Sequence, residues 1–197
     1  MRIVLFDADG VLTLPEEFFS AVYARLHGLD PEPFEQFFRN DWRPFVTGKA
    51  DLRDSIVANP KLWQWKGDVD SLLNFWFETE DVRNEDLLSL IREIRANDMP
   101  CFLATEQEKY RGEYMREVMF KDSLDGCYVT AELGASKAEP AFFQAIVEDL
   151  QTKYSEIEPK DITFFDDSES KVSTARSVGM NGQLYTSVEQ VRSIVLG

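Results

Sequence analysis

Histidine and cysteine are nearly missing from this chain, with one of the first and two of the second in 197 residues. Cys101 and Cys127 cannot make a disulfide framework, and each sits in a short apolar stretch that reads as buried core. The one histidine, His27, directly precedes Gly28 and reads as the end of a helix, not as a ligand. Basic residues are also scarce: 21 against 36 acidic ones, for a net charge of −15. That balance repels a nucleic-acid duplex and an anionic membrane, so both are set aside as partners, although a local site can still hold a small anion. No apolar run approaches the length of a membrane span, and the short one at the N-terminus is too brief for a signal peptide. The expectation is a cytoplasmic protein. Repeats and low-complexity segments are lacking as well.

What is there is a substantial apolar complement, 44% hydrophobic and 13% aromatic, which argues against disorder. The length fits one domain, or a core with a sizeable insert. Four short apolar runs read as buried parallel strands: Ile3 to Phe6, Cys101 to Ala104, Ile162 to Phe165 and Gly182 to Tyr185. A weaker fifth covers Cys127 to Thr130. Amphipathic stretches separate them: Asn84 to Ala96, Pro140 to Leu150, and a last helix capped by Ser187. The alternation predicts an α/β fold, a Rossmann-like three-layer core with a parallel sheet covered on both faces. Residues 15–82 differ, with helical patterns and no convincing strand. Glu16 to Leu26 carries Phe18, Phe19, Val22, Tyr23 and Leu26 at helical spacing, and Trp42, Trp63, Trp65 and Trp76 all fall in this interval. The reading is an all-helical cap over 15–82 inserted into a core formed by 1–14 and 83–197. Aromatic stripes in such an insert are more often its own core than substrate contacts.

Two of the strands end in paired acids. Asp7-Ala8-Asp9-Gly10 follows Phe6, and Asp166-Asp167-Ser168 follows Phe165. In an open α/β sheet, ligands bind outside the carboxyl ends of the strands. If these two strands are neighbours, four carboxylates converge, and such a cluster cannot stay ionised without a cation. Oxygen-only ligation by few protein groups suits Mg²⁺. Each motif alone also has a purely structural reading, as a turn or a helix cap; the pair, each after an apolar strand, favours chemistry.

The segment Phe6-Asp7-Ala8-Asp9-Gly10-Val11-Leu12 resembles the first signature of haloacid-dehalogenase-like hydrolases. Leu103-Ala104-Thr105-Glu106-Gln107 resembles the second, Gly134 to Phe143 with Lys137 and Pro140 the third, and Phe164-Phe165-Asp166-Asp167-Ser168 the fourth. The resemblance runs from Ile3 to about Gly182, and it is the four signatures in order that make it specific. It implies Asp7 as a nucleophile that forms an aspartyl-phosphate. It implies Asp9 as the acid–base group, which separates this chain from the dehalogenases. Mg²⁺ would be held by the Asp7 side chain, the Asp9 carbonyl, Asp167 and, directly or through water, Asp166. Thr105, Glu106 and Lys137 fall at the phosphate-binding positions, helped by helix N-terminal amides.

The chain departs from the family pattern at two places. Glu106 stands where Asn is common, adding negative charge beside an anion site unless it turns away. Lys137-Ala138-Glu139-Pro140 replaces the usual Lys-Pro-Asp-Pro, which alters loop stiffness. A helical cap after the first signature is similar to that of the subgroup acting on small phosphorylated metabolites, glucose-1-phosphatase-like enzymes among them. The resulting expectation is a Mg²⁺-dependent phosphatase acting on a small-molecule phosphate ester, a sugar phosphate first. A phosphomutase of the same fold and a non-catalytic phospho-ligand binder are the alternatives. Trp42, Arg43 and Lys49 are candidate substrate contacts, by stacking and by charge, though cap core and surface charge account for each more readily. Oligomeric state is left open by the sequence.

Overall fold

The computed structural model describes every residue from Met1 to Gly197. Five parallel strands form one sheet: β1 (Ile3–Phe6), β2 (Cys101–Thr105), β3 (Gly126–Val129), β4 (Ile162–Asp166) and β5 (Asn181–Leu184). Their spatial order is β3-β2-β1-β4-β5. These are the five runs expected from sequence, with β3 and β5 each beginning one residue earlier. β1, β2 and β4 are buried along their whole length, and this is why they read as continuous apolar runs.

Side chains of β1 alternate between two cores. Val4 and Phe6 pack with Leu87, Ile91 and Ile94 of helix Glu85–Ala96 and with Val191 and Val195 of helix Val188–Leu196. Ile3 and Leu5 pack on the other face, with Phe142, Phe143 and Ile146 of helix Pro140–Lys153. Helices therefore cover both faces in three layers. The cap expected at Ser187 is in place, accepting the amide of Gln190, and Asn84 caps its helix by accepting that of Leu87. Cys101 is buried, but Cys127 is only half-buried, a correction that follows from its place on the edge strand β3. Burial pushes both thiols up to about 12, so neither is reactive.

Between β1 and helix Glu85–Ala96 the chain forms six short helices and no strand: Phe19–His27, Glu32–Gln36, Arg43–Val46, Leu52–Ala58, Pro60–Trp63 and Val69–Thr79. A π-helical stretch, Phe37–Asp41, follows the second of them. The segment has its own aromatic core, in which Phe19 stacks on Trp76 at 4.9 Å and Trp63 is fully buried. The first helix begins at Phe19, not at Glu16. Phe18 is extended and Leu26 faces outward, so both lie outside the buried stripe, 61% and 59% exposed. The Phe19 amide is taken by the Glu80 carboxylate at 2.7 Å, a cap supplied from the far end of the insert. His27 ends the helix and Gly28 adopts the left-handed conformation (φ 63°) that terminates it.

The outgoing and returning segments run side by side. The Leu14 amide donates to Val82 and the Asn84 amide to Leu12. Beyond this joint the insert meets the sheet-bearing part mostly through polar contacts: Lys109 Nζ to Asp51 at 2.5 Å and Arg43 to Glu139 at 3.2 Å. Gly48 lies so close to the Ala131 carbonyl that a Cβ would sit 2.3 Å from its oxygen. No helix is long and apolar enough to cross a membrane.

Candidate active site

Strand order reverses between β1 and β4: the chain moves outward to β2 and β3, then returns to the other side of β1. Open sheets hold ligands at this switch point. Asp7 follows β1 directly, tied to β4 by its amide, which donates to the Phe165 carbonyl. Asp166 ends β4 and Thr105 ends β2. From the loop before helix Pro140–Lys153, Lys137 reaches in, fully buried, with Nζ 2.5 Å from Asp7 Oδ1 and 2.7 Å from Asp166 Oδ2. Asp167 is exposed and lies over Gly10 (φ 82°), where a Cβ would come within 2.3 Å of its Oδ2.

Asp7, Asp166 and Asp167 can each bring one oxygen within 4.8 Å of the others. One ammonium does not balance three carboxylates. Burial pushes the Asp7 carboxyl up to about 7, with Lys137 pulling down and Asp166 pushing up. Burial acts on Asp166 the same way, but Lys137 overcomes it and holds that carboxyl below its ordinary value. The cluster is thus short of positive charge, and its all-oxygen donor set fits a hard divalent cation such as Mg²⁺. Thr105 adds an unsatisfied donor: its hydroxyl is buried and has no protein partner, an uncommon state that an incoming anion would relieve.

Asp9 lies beside this cluster and is held by three side chains. It accepts from Thr13 Oγ1 at 2.9 Å, Gln107 Nε2 at 2.6 Å and Arg111 Nη2 at 2.9 Å. Burial would raise the Asp9 carboxyl, yet Arg111 and the two hydrogen bonds hold it below the usual range. Arg111 is itself buried and also pairs with Glu80 at 2.9 Å. Glu106 is engaged by two neighbours. It accepts from Ser136 Oγ at 2.5 Å and stands 3.6 Å from Lys171.

A cavity of about 590 Å³ opens from Asp9 toward the insert and includes Trp42 in its wall. Arg43 and Lys49 do not line it. Arg43 is drawn to Glu139, and Lys49 lies on a separate depression beside Gly48 and Asp51. The cationic groups at the cavity are Arg39 and Arg111. Sequence reading missed Arg111, Glu80 and Thr13. The Arg111 guanidinium lies 3.5 Å from the amide oxygen of Gln107, which stands four residues before it and ahead of helix Lys109–Tyr114.

A parallel sheet with carboxylates and a buried lysine at its switch point defines an α/β protein built to hold an anion and a cation together. The profile of haloacid dehalogenase-like hydrolases matches residues 1–179. The chain belongs to that family. None of the curated proteins matches it by sequence. Among solved structures, it is similar to a HAD family enzyme of Bacteroides thetaiotaomicron, with 16% identity, a TM-score of 0.78 and 98% of each chain covered. That enzyme is also known in complex with magnesium and inorganic phosphate, at 17% identity, a TM-score of 0.76 and 94% of each chain. A HAD phosphatase of Thermococcus onnurineus is similar at 22% identity and a TM-score of 0.67, covering 100% of this chain and 98% of the other. At such identities the likeness shows the fold.

Proposed function

We propose that this protein is a Mg²⁺-dependent phosphate-monoester hydrolase that works through an aspartyl-phosphate on Asp7. The observation that carries the reading is the buried Lys137 ammonium bridging Asp7 and Asp166, beside Asp167 and the partnerless Thr105 hydroxyl. Asp7, Asp166, Asp167 and the Asp9 carbonyl would hold the metal. When bound, the ion supplies positive charge against the repulsion between a carboxylate and a phosphate dianion.

In this reading, Asp7 attacks phosphorus through a carboxylate oxygen, and the ester oxygen leaves with a proton from Asp9. Water then attacks the aspartyl-phosphate, Asp9 takes its proton, and phosphate departs. Thr105 and Lys137 bind the phosphoryl oxygens, with Glu106 at the edge holding Ser136. Residues 15–82 act as a cap over the core of 1–14 and 83–197, excluding water on closure. Small phosphorylated metabolites, sugar phosphates included, are the proposed substrates.

The test is phosphate release from a panel of esters with Mg²⁺ or chelator, for wild type and Asp7→Asn. Metal-dependent release that vanishes in Asp7→Asn, in a folded protein, is the expected outcome. Full activity in that variant, or release unaffected by chelator, overturns the reading.

A further inference from the structure

We propose that the cavity beyond Asp9 receives a phosphate ester whose alcohol carries a flat heteroaromatic ring, in preference to a bare hexose phosphate. The inference rests on the phosphatase reading, because Asp9 serves the leaving alcohol and the cavity opens on its side.

The cavity of about 590 Å³ is far larger than a phosphoryl group needs and falls within the range of small-molecule sites. The residues lining it include the aromatic Phe18, Phe38, Trp42 and Trp76. Phe18 is 61% exposed, has no ring neighbour and is the one aromatic among the exposed large hydrophobic residues. Phe38 and Trp42 pack edge to face at 5.0 Å and are only half-buried, so aromatic surface is left open. Phe38 and Arg39 belong to the π-helical stretch Phe37–Asp41, a distortion that recurs at functional sites.

The polar groups of the wall point to the same conclusion. Arg111 is taken by Asp9 and Glu80, Gln107 by Asp9, and Glu106 by Ser136 and Lys171. What remains is Ser20, the Arg39–Glu35 pair, 3.6 Å apart and exposed, and the Trp76 indole N–H, which is buried without a hydrogen-bond partner. A hexose must exchange the water on its many hydroxyls for hydrogen bonds from the site. This wall has few to give. A flat ring needs aromatic surface, which exposed Phe18 and half-buried Phe38 and Trp42 offer, and Arg39 can stack on it or bond its substituents.

The experiment compares kcat/KM, at excess Mg²⁺, for nucleoside 5′-monophosphates, flavin mononucleotide and pyridoxal phosphate against hexose 1- and 6-phosphates. Alongside it, binding of adenosine or of glucose is followed by quenching of tryptophan fluorescence, since Trp42 and Trp76 border the cavity. At least one ring-bearing ester is expected to exceed every hexose phosphate by about tenfold or more, the worth of one stacking contact. Phe18→Ala with Phe38→Ala should reduce that ratio about tenfold. Phe18→Ala alone, at an exposed position, should reduce it in part and controls for misfolding. Hexose phosphates matching the ring-bearing esters, or a ratio unmoved in both variants, overturns the proposal. If no ester is hydrolysed while adenosine still quenches saturably and Phe18→Ala weakens it, the phosphatase reading fails and the ring site stands. Hydrolysis without ring preference is the converse.

Discussion

Gly10 has two reasons to be glycine: its φ of 82° and the Asp167 carboxylate packed where a Cβ would go. Gly10→Ala should therefore strain the turn by about 1–2 kcal/mol and displace Asp167. The expected result is a fall in Mg²⁺ affinity of about tenfold, read by titration calorimetry; unchanged affinity would remove Asp167 from the metal set. Glu108 presents a different single-residue problem. It caps helix Lys109–Tyr114 by accepting the amides of Tyr110 and Arg111, yet burial pushes its carboxyl up to about 7. An acid raised on folding binds its proton more tightly when folded. Its contribution is therefore fully present below the unfolded value of 4.5 and is lost as pH rises through about 7. Glu108→Gln keeps an accepting oxygen and removes the charge. It should stabilise the protein at pH 8 by about 1–3 kcal/mol relative to its effect near pH 4, measured by urea unfolding. An equal effect at both values would mean the carboxylate is solvated after all.

Helices and strands deliver these residues, and the elements differ in how well their sequences announce it. Asp7, Thr105 and Asp166 were legible because each ends a continuous apolar strand, and a strand end is where an open sheet presents its chemistry. The aromatic insert was legible as helical. Its first boundary was not, because Glu80, distant in sequence, supplies the missing cap at Phe19. Arg111 escaped for the same reason: its partners, Asp9 and Glu80, come from two other segments. Arg43 and Lys49 show the reverse, a local pattern of charge that tertiary contact places against Glu139 and in the depression beside Asp51. The buried trio makes a sharp prediction. Arg111→Met leaves Glu80 buried without a counter-ion, and removing one partner of such a pair destabilises by about 3–5 kcal/mol. Adding Glu80→Gln should recover part of that loss in thermal unfolding. Two strictly additive losses would show that the pair is not coupled.

At the scale of the whole molecule the charge is the outstanding quantity. The chain carries −15, of which its site holds three carboxylates against one buried ammonium, yet the proposed substrate is an anion. In the proposed reading, the field outside the site repels the substrate, and attraction begins only where metal, Lys137 and Thr105 are close. Screening acts over roughly 10 Å at 0.1 M salt, which reaches the surface charges but hardly touches Lys137, fully buried against its partners. Salt should therefore remove the repulsion and spare the attraction. The expectation is that kcat/KM for a dianionic ester, at saturating Mg²⁺, rises about two- to threefold between 0.02 and 0.2 M monovalent salt. Most anion-binding enzymes with a basic approach would show a fall. Replacing exposed acids remote from the crevice, such as Glu156 and Glu158 beyond the end of helix Pro140–Lys153, should flatten the rise and leave the limiting high-salt value in place. A fall with salt in the wild type would mean that Arg39 and Lys171 at the crevice dominate the approach field despite the net charge.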